Sequence, residues 1–157
     1  MMKAIIYTDG GCSGNQNATN YGGWGAVLTT SNSDSRKEIY GGVCNTSNNK
    51  MELTAPIEAL KRLKRTNIPV EVYSDSNYVV QGMNEWIEGW KARGWKKSNK
   101  KPVENQELWQ ELDELSSKFE DIKFIKVKAH VGVELNELAD RLANKGIKEA
   151  IGEVVLP

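Results

Sequence analysis

Cysteine and histidine are almost missing: Cys12, Cys44 and a single histidine, His130, in 157 residues. That scarcity excludes a zinc site, which needs Cys and His clustered at fixed spacings, and it excludes a disulfide scaffold. Cys12 and Cys44 read as reduced thiols of a cytoplasmic protein, with a bridge between them left open at this stage. A charge of one sign is equally missing, because 21 Lys and Arg balance 21 Asp and Glu. No overall field therefore draws in nucleic acid, and any such affinity has to reside in a local patch. No apolar run is long enough to span a bilayer, and Met1-Met2-Lys3 leads straight into a strand pattern, without room for a signal peptide. Repeats and low-complexity stretches are absent too. The size and apolar content suit one domain, 1–157, with a substantial core.

What the chain does have is a sequence of clear periods. Ala4-Ile5-Ile6-Tyr7-Thr8 is a short apolar run suited to a buried strand, and it stops at Asp9-Gly10-Gly11. Further strand patterns lie at Gly22–Leu28 and Lys37–Cys44, separated by turn chemistry at Ser31-Asn32-Ser33-Asp34, which predicts an antiparallel meander. From Asn49 to about Lys64 the period turns helical through Met51, Ala55, Leu60 and Leu63, with a kink or irregular turn expected at Pro56. A fourth strand over 68–73 runs into Ser74-Asp75. Helices are predicted near 76–83, 85–92 and 106–118, a basic loop over 94–105, a strand over 122–127 and a helix over about 135–149. The tail from Gly152 is too short to assign. The order βββ-α-β-ααα-β-α predicts an α/β fold: a five-stranded mixed sheet, three strands antiparallel and two parallel, flanked by helices.

Acidic residues punctuate this pattern. Burying a carboxylate at the end of a core strand is costly unless a cation or strong hydrogen bonds compensate. Asp9 ends the first strand and Asp75 the fourth, and parallel neighbours bring their carboxyl ends to one edge, where such sheets bind ligands. Glu52, in the first turn of the first helix, and Asp140, on the last helix after the loop holding His130, are positioned to join them. Each has an ordinary alternative. Asp9-Gly10 is a favoured turn pair, Asn49-Lys50-Met51-Glu52 matches a capping box, Asp75 suits an N-cap, and Asp140 suits a solvated face. Together they suggest a cation site, since crowded carboxylates repel one another unless divalent ions neutralise them. Oxygen-only ligands indicate Mg²⁺ or Mn²⁺.

Four blocks hold these residues: Tyr7-Thr8-Asp9-Gly10-Gly11-Cys12, Thr46-Ser47-Asn48-Asn49-Lys50-Met51-Glu52-Leu53, Ser74-Asp75-Ser76-Asn77-Tyr78, and Lys128-Ala129-His130 with Asn136-Glu137-Leu138-Ala139-Asp140. In this order, over nearly the whole chain, they resemble the type 1 ribonuclease H family. The resemblance implies a ribonuclease H-like fold and an endoribonuclease that hydrolyses the RNA strand of RNA–DNA hybrids. Two Mg²⁺ ions, or Mn²⁺ in their place, would serve the reaction, leaving 5′-phosphate and 3′-hydroxyl ends. Asp9, Glu52, Asp75 and Asp140 are then catalytic metal ligands, one ion activating water and its partner, about 4 Å away, stabilising the leaving oxygen. His130 corresponds to a loop histidine that assists proton transfer or product release, a role suited to imidazole. Asn15, Asn48, Asn49 and Gln81 correspond to amides that contact the hybrid, reading 2′-hydroxyls and base edges in a shallow minor groove. Ser47 and Asn105 fall where a phosphate of the DNA strand is held, although both also suit turn or cap chemistry, Asn105 as a cap for the helix carrying Trp109.

Trp86, Trp90 and Trp95 interleave with Lys91, Arg93, Lys96, Lys97, Lys100 and Lys101 in a protrusion over about 85–105. The tryptophans are expected mainly to pack the protrusion, with Trp86 also at the substrate, and the cations mainly to grip the nucleic-acid backbone. This resembles the family's basic protrusion, and it implies that the hybrid is held by a monomer without a separate hybrid-binding domain or a membrane. The chain departs from the family at Ala129, in the apolar Val131, Val133 and Leu135, at Asn45, and in the longer loop Asn17-Ala18-Thr19-Asn20. Three other readings compete. A catalytically silent hybrid-binding module predicts a missing carboxylate, and all four are present. A strand-joining integrase core lacks the protrusion and the Asn-Asn-Lys-Met-Glu block. A dinucleotide binder needs a Gly-rich strand-to-helix turn that the chain does not contain.

Overall fold

Ala4, Ile6 and Thr8 alternate with Ile5 and Tyr7, and the first set is 2%, 0% and 1% exposed. A strand with this pattern has one face sealed in the core. In the computed structural model, which describes residues 2–14, 19–127 and 134–155, it is β1 (Ala4–Ser13). β2 (Tyr21–Thr30) and β3 (Ser33–Cys44) follow as a meander. The third strand begins earlier than expected, because the turn tightens to Ser31-Asn32 and pairing resumes at Thr30↔Ser33. After α1 (Asn48–Lys61) come β4 (Val70–Ser74), α2 (Asn77–Gln81), α3 (Ile87–Ala92), α4 (Gln106–Ser116), β5 (Ile122–Lys126) and α5 (Glu134–Val155). The sheet order is β3-β2-β1-β4-β5, with β1 antiparallel to β2, β2 antiparallel to β3, and β1, β4 and β5 mutually parallel. That is the expected five-stranded mixed sheet.

Three helical details differ from expectation. Pro56 does not introduce an irregular turn: α1 is helical throughout, with Pro56 buried inside it. The two helices expected at 76–83 and 85–92 are one helical run, joined by a π-helical turn over Gly82–Trp86 rather than a break. The last helix continues to Val155 and so takes up most of the unassigned tail.

The core lies between the sheet and α1, α2 and α4, where Ile6, Leu53, Ile57, Val70, Val72, Val79, Trp109 and Leu112 are each at most 2% exposed. Gly82 lies directly under the Trp109 ring, and a Cβ there would fall 2.0 Å from it. Trp109 Nε1 donates to the Tyr78 hydroxyl at 3.0 Å, which satisfies the indole in the apolar interior. On the opposite face α5 covers β1, β2 and β3, with Val27, Ala139 and Leu142 between them. Cys12 and Cys44 are thiols, and no bridge joins them. Cys12 Sγ donates to the Thr46 carbonyl and Cys44 Sγ to the Ala150 carbonyl, and β2 runs between their strands. Two strand spacings exceed the Cα separation a disulfide tolerates.

Candidate active site

The parallel pairing of β1 with β4 runs in register through Thr8↔Ser74 and ends there, so the next residues, Asp9, still paired with Gly25 of β2, and Asp75, just past β4, lie side by side where the two strands part. The third carboxylate arrives through a close backbone approach. A Cβ on Gly10 would lie 2.3 Å from Met51 C and 2.5 Å from Glu52 N, so only glycine lets β1 touch the start of α1. One oxygen from each of Asp9, Glu52 and Asp75 then falls within 4.8 Å of the others. α5 brings the fourth. Bare backbone at Gly23 and Gly25, where a Cβ would meet the Ala143 and Ala139 carbonyls at 2.1 and 2.7 Å, seats the helix directly on β2. Asp140 thereby reaches Asp9 through a side-chain hydrogen bond, from a more exposed position outside the 4.8 Å cluster.

Burial and mutual repulsion dominate the electrostatics. Asp9, 9% exposed, is pushed up to about 9, first by burial, then by the charges of Glu52 and Asp75 and the hydrogen bond with Asp140. The Gly10 N–H, donating to Asp9 Oδ1 at 2.9 Å, opposes this. Glu52 is raised to about 7 by burial and by Asp75, against hydrogen bonds from Ser76 and the Gly10 N–H and one shared with Asp9. Glu52 Oε1 is buried without a hydrogen-bond partner among the described residues. An orphaned carboxylate oxygen in an all-oxygen cluster of repelling charges suits a hard divalent cation.

A ribonuclease H family model matches residues 1–148. The chain belongs to the ribonuclease H family. It is 53% identical to the ribonuclease H of Cupriavidus necator over 152 residues, covering 97% of this chain and 99% of that one. It is 49% identical to the ribonuclease HI of Caulobacter vibrioides over 153 residues, 98% of each, which places it in the type 1 branch. Among solved structures, LC9-RNase H1, a type 1 RNase H with the type 2 active-site motif, superposes with a TM-score of 0.82 at 30% identity, over 94% of this chain and 73% of that one. LC11-RNase H1, solved in complex with an RNA/DNA hybrid, gives 0.71 at 27% identity, over 94% and 99%.

Within this ribonuclease H site the capping explanations for Glu52 and Asp75 fall away. The N-cap of α1 is Ser47, whose Oγ accepts from Lys50 N at 3.2 Å. Glu52 therefore lies in the second turn, not the first, and caps nothing. Asp75 is not a cap either, because Ser76 holds that position and accepts from Val79 N at 3.3 Å. Asn105 occupies the cap position of α4 at φ 56°, but its side chain makes no cap bond and donates to the Tyr78 hydroxyl at 3.0 Å.

Asn48 and Asn49 are exposed on the first turn of α1, and Gln81 is exposed at the end of α2. Asn15 and His130 lie outside the described residues. In the protrusion, Trp90 and Trp95 pack against the core while Trp86 is 38% exposed, stacked at an angle on Trp90. Lys91 pairs with Asp113 at 3.3 Å and Lys97 with Glu104 at 3.6 Å, while Arg93 Nε donates to the Lys96 carbonyl at 3.2 Å. Among the described residues Lys96, Lys100 and Lys101 form no salt bridge.

Sequence reasoning missed two supports. Ser76 both caps α2 and holds Glu52, and a serine just before a helix was the available signal. Lys126 Nζ donates to the Asp75 carbonyl, and nothing in the alternating pattern of β5 marks it out.

Proposed function

We propose that the chain is an endonuclease that hydrolyses the RNA strand of RNA–DNA hybrids, leaving 5′-phosphate and 3′-hydroxyl ends. The observation that carries this reading is the convergence of Asp9, Glu52 and Asp75 at one sheet edge in a chain of the ribonuclease H family. Asp9, Glu52, Asp75 and Asp140 would hold two Mg²⁺ ions, with Mn²⁺ able to replace them. When bound, the ions supply Lewis-acid charge compensation to the phosphodiester. The chain provides the rest. β1, β4, α1 and α5 hold four carboxylates in place before substrate arrives, so little reorganisation accompanies the reaction. Burial keeps protons on Asp9 and Glu52, and binding of a cation requires their loss, so loading strengthens as pH rises. His130 assists proton transfer or product release, a role suited to an imidazole.

Substrate selection rests on side-chain amides and hydroxyls that pair with the hybrid. Asn15, Asn48, Asn49 and Gln81 contact the minor groove, where a 2′-hydroxyl distinguishes RNA from DNA. Ser47 and Asn105 hold a phosphate of the DNA strand. Trp86, Lys91, Arg93, Lys96 and Lys97, on the 85–105 protrusion of a single catalytic domain, bind the backbone beyond the site. The unit acts as a cytoplasmic monomer. Its reduced thiols support that compartment, and among the described residues no helix is long and apolar enough to cross a membrane.

The test is an end-labelled RNA–DNA hybrid incubated with Mg²⁺ beside single-stranded RNA, duplex RNA and an Asp9→Asn control. Cleavage confined to the RNA of the hybrid, and lost in the control, is the expected result. Tight hybrid binding without cleavage in either metal would instead identify a silent binding module.

A further inference from the structure

The segment from Thr46 to Asn49 carries three proposed hybrid contacts, and the Asn20 side chain makes two hydrogen bonds to its first residue. Asn20 stands immediately before β2, and its carbonyl accepts from Asn45 N at 2.9 Å, extending the β2–β3 ladder one step beyond Tyr21↔Cys44. At Asn45 the chain turns out of β3 through a left-handed φ of 56°, and backbone pairing ends. The Asn20 side chain then takes over. Oδ1 accepts from Thr46 N at 2.8 Å and Nδ2 donates to the Thr46 carbonyl at 3.0 Å. A primary amide offers an acceptor and a donor side by side, so it pairs with both main-chain groups of one residue as a neighbouring strand would. Thr46 is confined from two other directions. Cys12 Sγ donates to the same carbonyl at 3.9 Å, and Thr46 Cγ2 sits over the bare backbone of Gly22, where a Cβ would lie 2.2 Å away. Ser47 follows and caps α1, and Asn48 and Asn49 then project from its first turn.

We infer that Asn20 is a positioning residue for hybrid recognition: its side-chain amide latches Thr46 and so fixes where Asn48 and Asn49 meet the substrate. The inference rests on the assignment of those two amides to hybrid contact. The latch is separate from the reaction chemistry. Glu52 is placed by the contact of α1 with Gly10 and by Met51, Leu53, Ala55 and Ile57, which are buried beneath the helix, and none of these involves Asn20. Loosening Thr46 therefore displaces the recognition amides while the carboxylates keep their places, and substrate affinity falls without a matching fall in turnover.

The test compares wild type, Asn20→Ala and Asn20→Asp on a defined RNA–DNA hybrid. In Mg²⁺ at pH 8, KM for Asn20→Ala is expected to rise about tenfold with kcat within about twofold of wild type, the pattern of lost uniform binding after two hydrogen bonds are removed. Binding of a fluorescent hybrid in EDTA supplies the second readout. In Asn20→Asp the ionised carboxylate would oppose the Thr46 carbonyl, whereas the protonated acid has the donor and acceptor of the original amide. The Kd ratio of Asn20→Asp to wild type should thus fall toward one as pH drops from 8 to about 4, into the ordinary range in which an aspartate takes up its proton, while the Asn20→Ala ratio stays raised. Unchanged KM in a folded Asn20→Ala, or a fall in kcat alone, overturns the latch. Should the alanine variant not fold, an Asn20→Asp ratio insensitive to pH overturns it instead. A wild type that neither binds nor cleaves hybrid would overturn the functional reading itself, a result distinct from a latch failure in an active enzyme.

Discussion

In metal-free buffer, Asp9→Asn is expected to make the protein more stable while abolishing its activity. Asp9 is 9% exposed, and burial, Glu52, Asp75 and the Asp140 hydrogen bond together raise it from 3.8 to about 9. An acid raised in this way keeps its proton in the folded state above pH 4, where the unfolded chain has already released it. The folded state then binds more protons than the unfolded one, so stability is lost progressively as pH climbs from about 4 toward about 9. Each pH unit in that window costs about 1.4 kcal/mol per retained proton, giving a ceiling of about 4 kcal/mol at pH 7. Glu52 is raised beside it and shares the same repulsion, and water reaches the rim at the exposed Asp140. The part recovered by a neutral amide at this position is accordingly about 1–2 kcal/mol. At about 2–4 °C per kcal/mol for a chain of this size, Tm should rise about 3–6 °C. Thermal melts by circular dichroism in EDTA across pH 5–9, repeated with Mg²⁺, provide the assay. The parent should lose Tm with rising pH and regain it on adding Mg²⁺, whereas the variant should show a flatter profile and a weaker response to metal. A variant that melts below the parent at pH 8 in EDTA, or that keeps the parent's pH slope, would refute the reasoning.

Other substitutions probe the elements that carry the site. Gly10→Ala drives a Cβ into the backbone at Met51 and Glu52; about 1–3 kcal/mol of stability should be lost and, through displaced carboxylates, about a hundredfold in kcat, read from melts and steady-state cleavage. Ser76→Ala removes the cap of α2 and a hydrogen bond to Glu52; about 1 kcal/mol in stability should accompany a lower apparent Mg²⁺ affinity, measured by calorimetric titration. Lys96→Ala should lower hybrid affinity and reduce the slope of log K against log salt by about 0.9. Anisotropy titrations at several salt concentrations check this, and an unchanged slope would remove Lys96 from the backbone contacts.

Most of the fold was legible because its signals are local. The apolar run ending at Asp9, the change of period at Asn49 and the strand ending at Asp75 each follow from side-chain spacing, and parallel pairing of β1 with β4 then brings two aspartates together. Less legible was anything that depends on close backbone approach. Gly10, Gly23 and Gly25 look like ordinary strand or turn glycines in sequence, yet they set how deeply α1 and α5 seat and therefore where Glu52 and Asp140 arrive. Capping was misplaced for a related reason. Asn49-Lys50-Met51-Glu52 fits a capping box as well as Ser47 does, and only the helix start at Asn48 decides between them. The π-helical turn at Gly82–Trp86 was not marked by any local spacing, and its first residue, Gly82, sits under the Trp109 ring, a contact between residues distant in sequence. The Asn20 clamp on Thr46 was hidden in the same way, with a polar loop residue acting as a strand across 26 positions.

The placement of the carboxylates explains how the chain tolerates them. Side chains on a mobile loop would relieve their repulsion by moving apart. Here they cannot, because each is fixed by backbone: Asp9 and Asp75 by the parallel ladder, Glu52 by the contact at Gly10, Asp140 by the seating of α5 on β2. The energy that holds them comes from the apolar layers beneath, where Ile6, Val72, Leu53 and Ile57 are almost wholly withdrawn from water. Repulsion at the edge is thus balanced by burial in the core, and the two are joined through rigid elements rather than flexible side chains. Such an arrangement gains most from a divalent cation, because neutralisation relieves strain that the fold cannot relax by itself. A destabilised edge in the absence of metal and a stabilised one in its presence are therefore the same property of the sheet, seen from the two sides of one binding equilibrium.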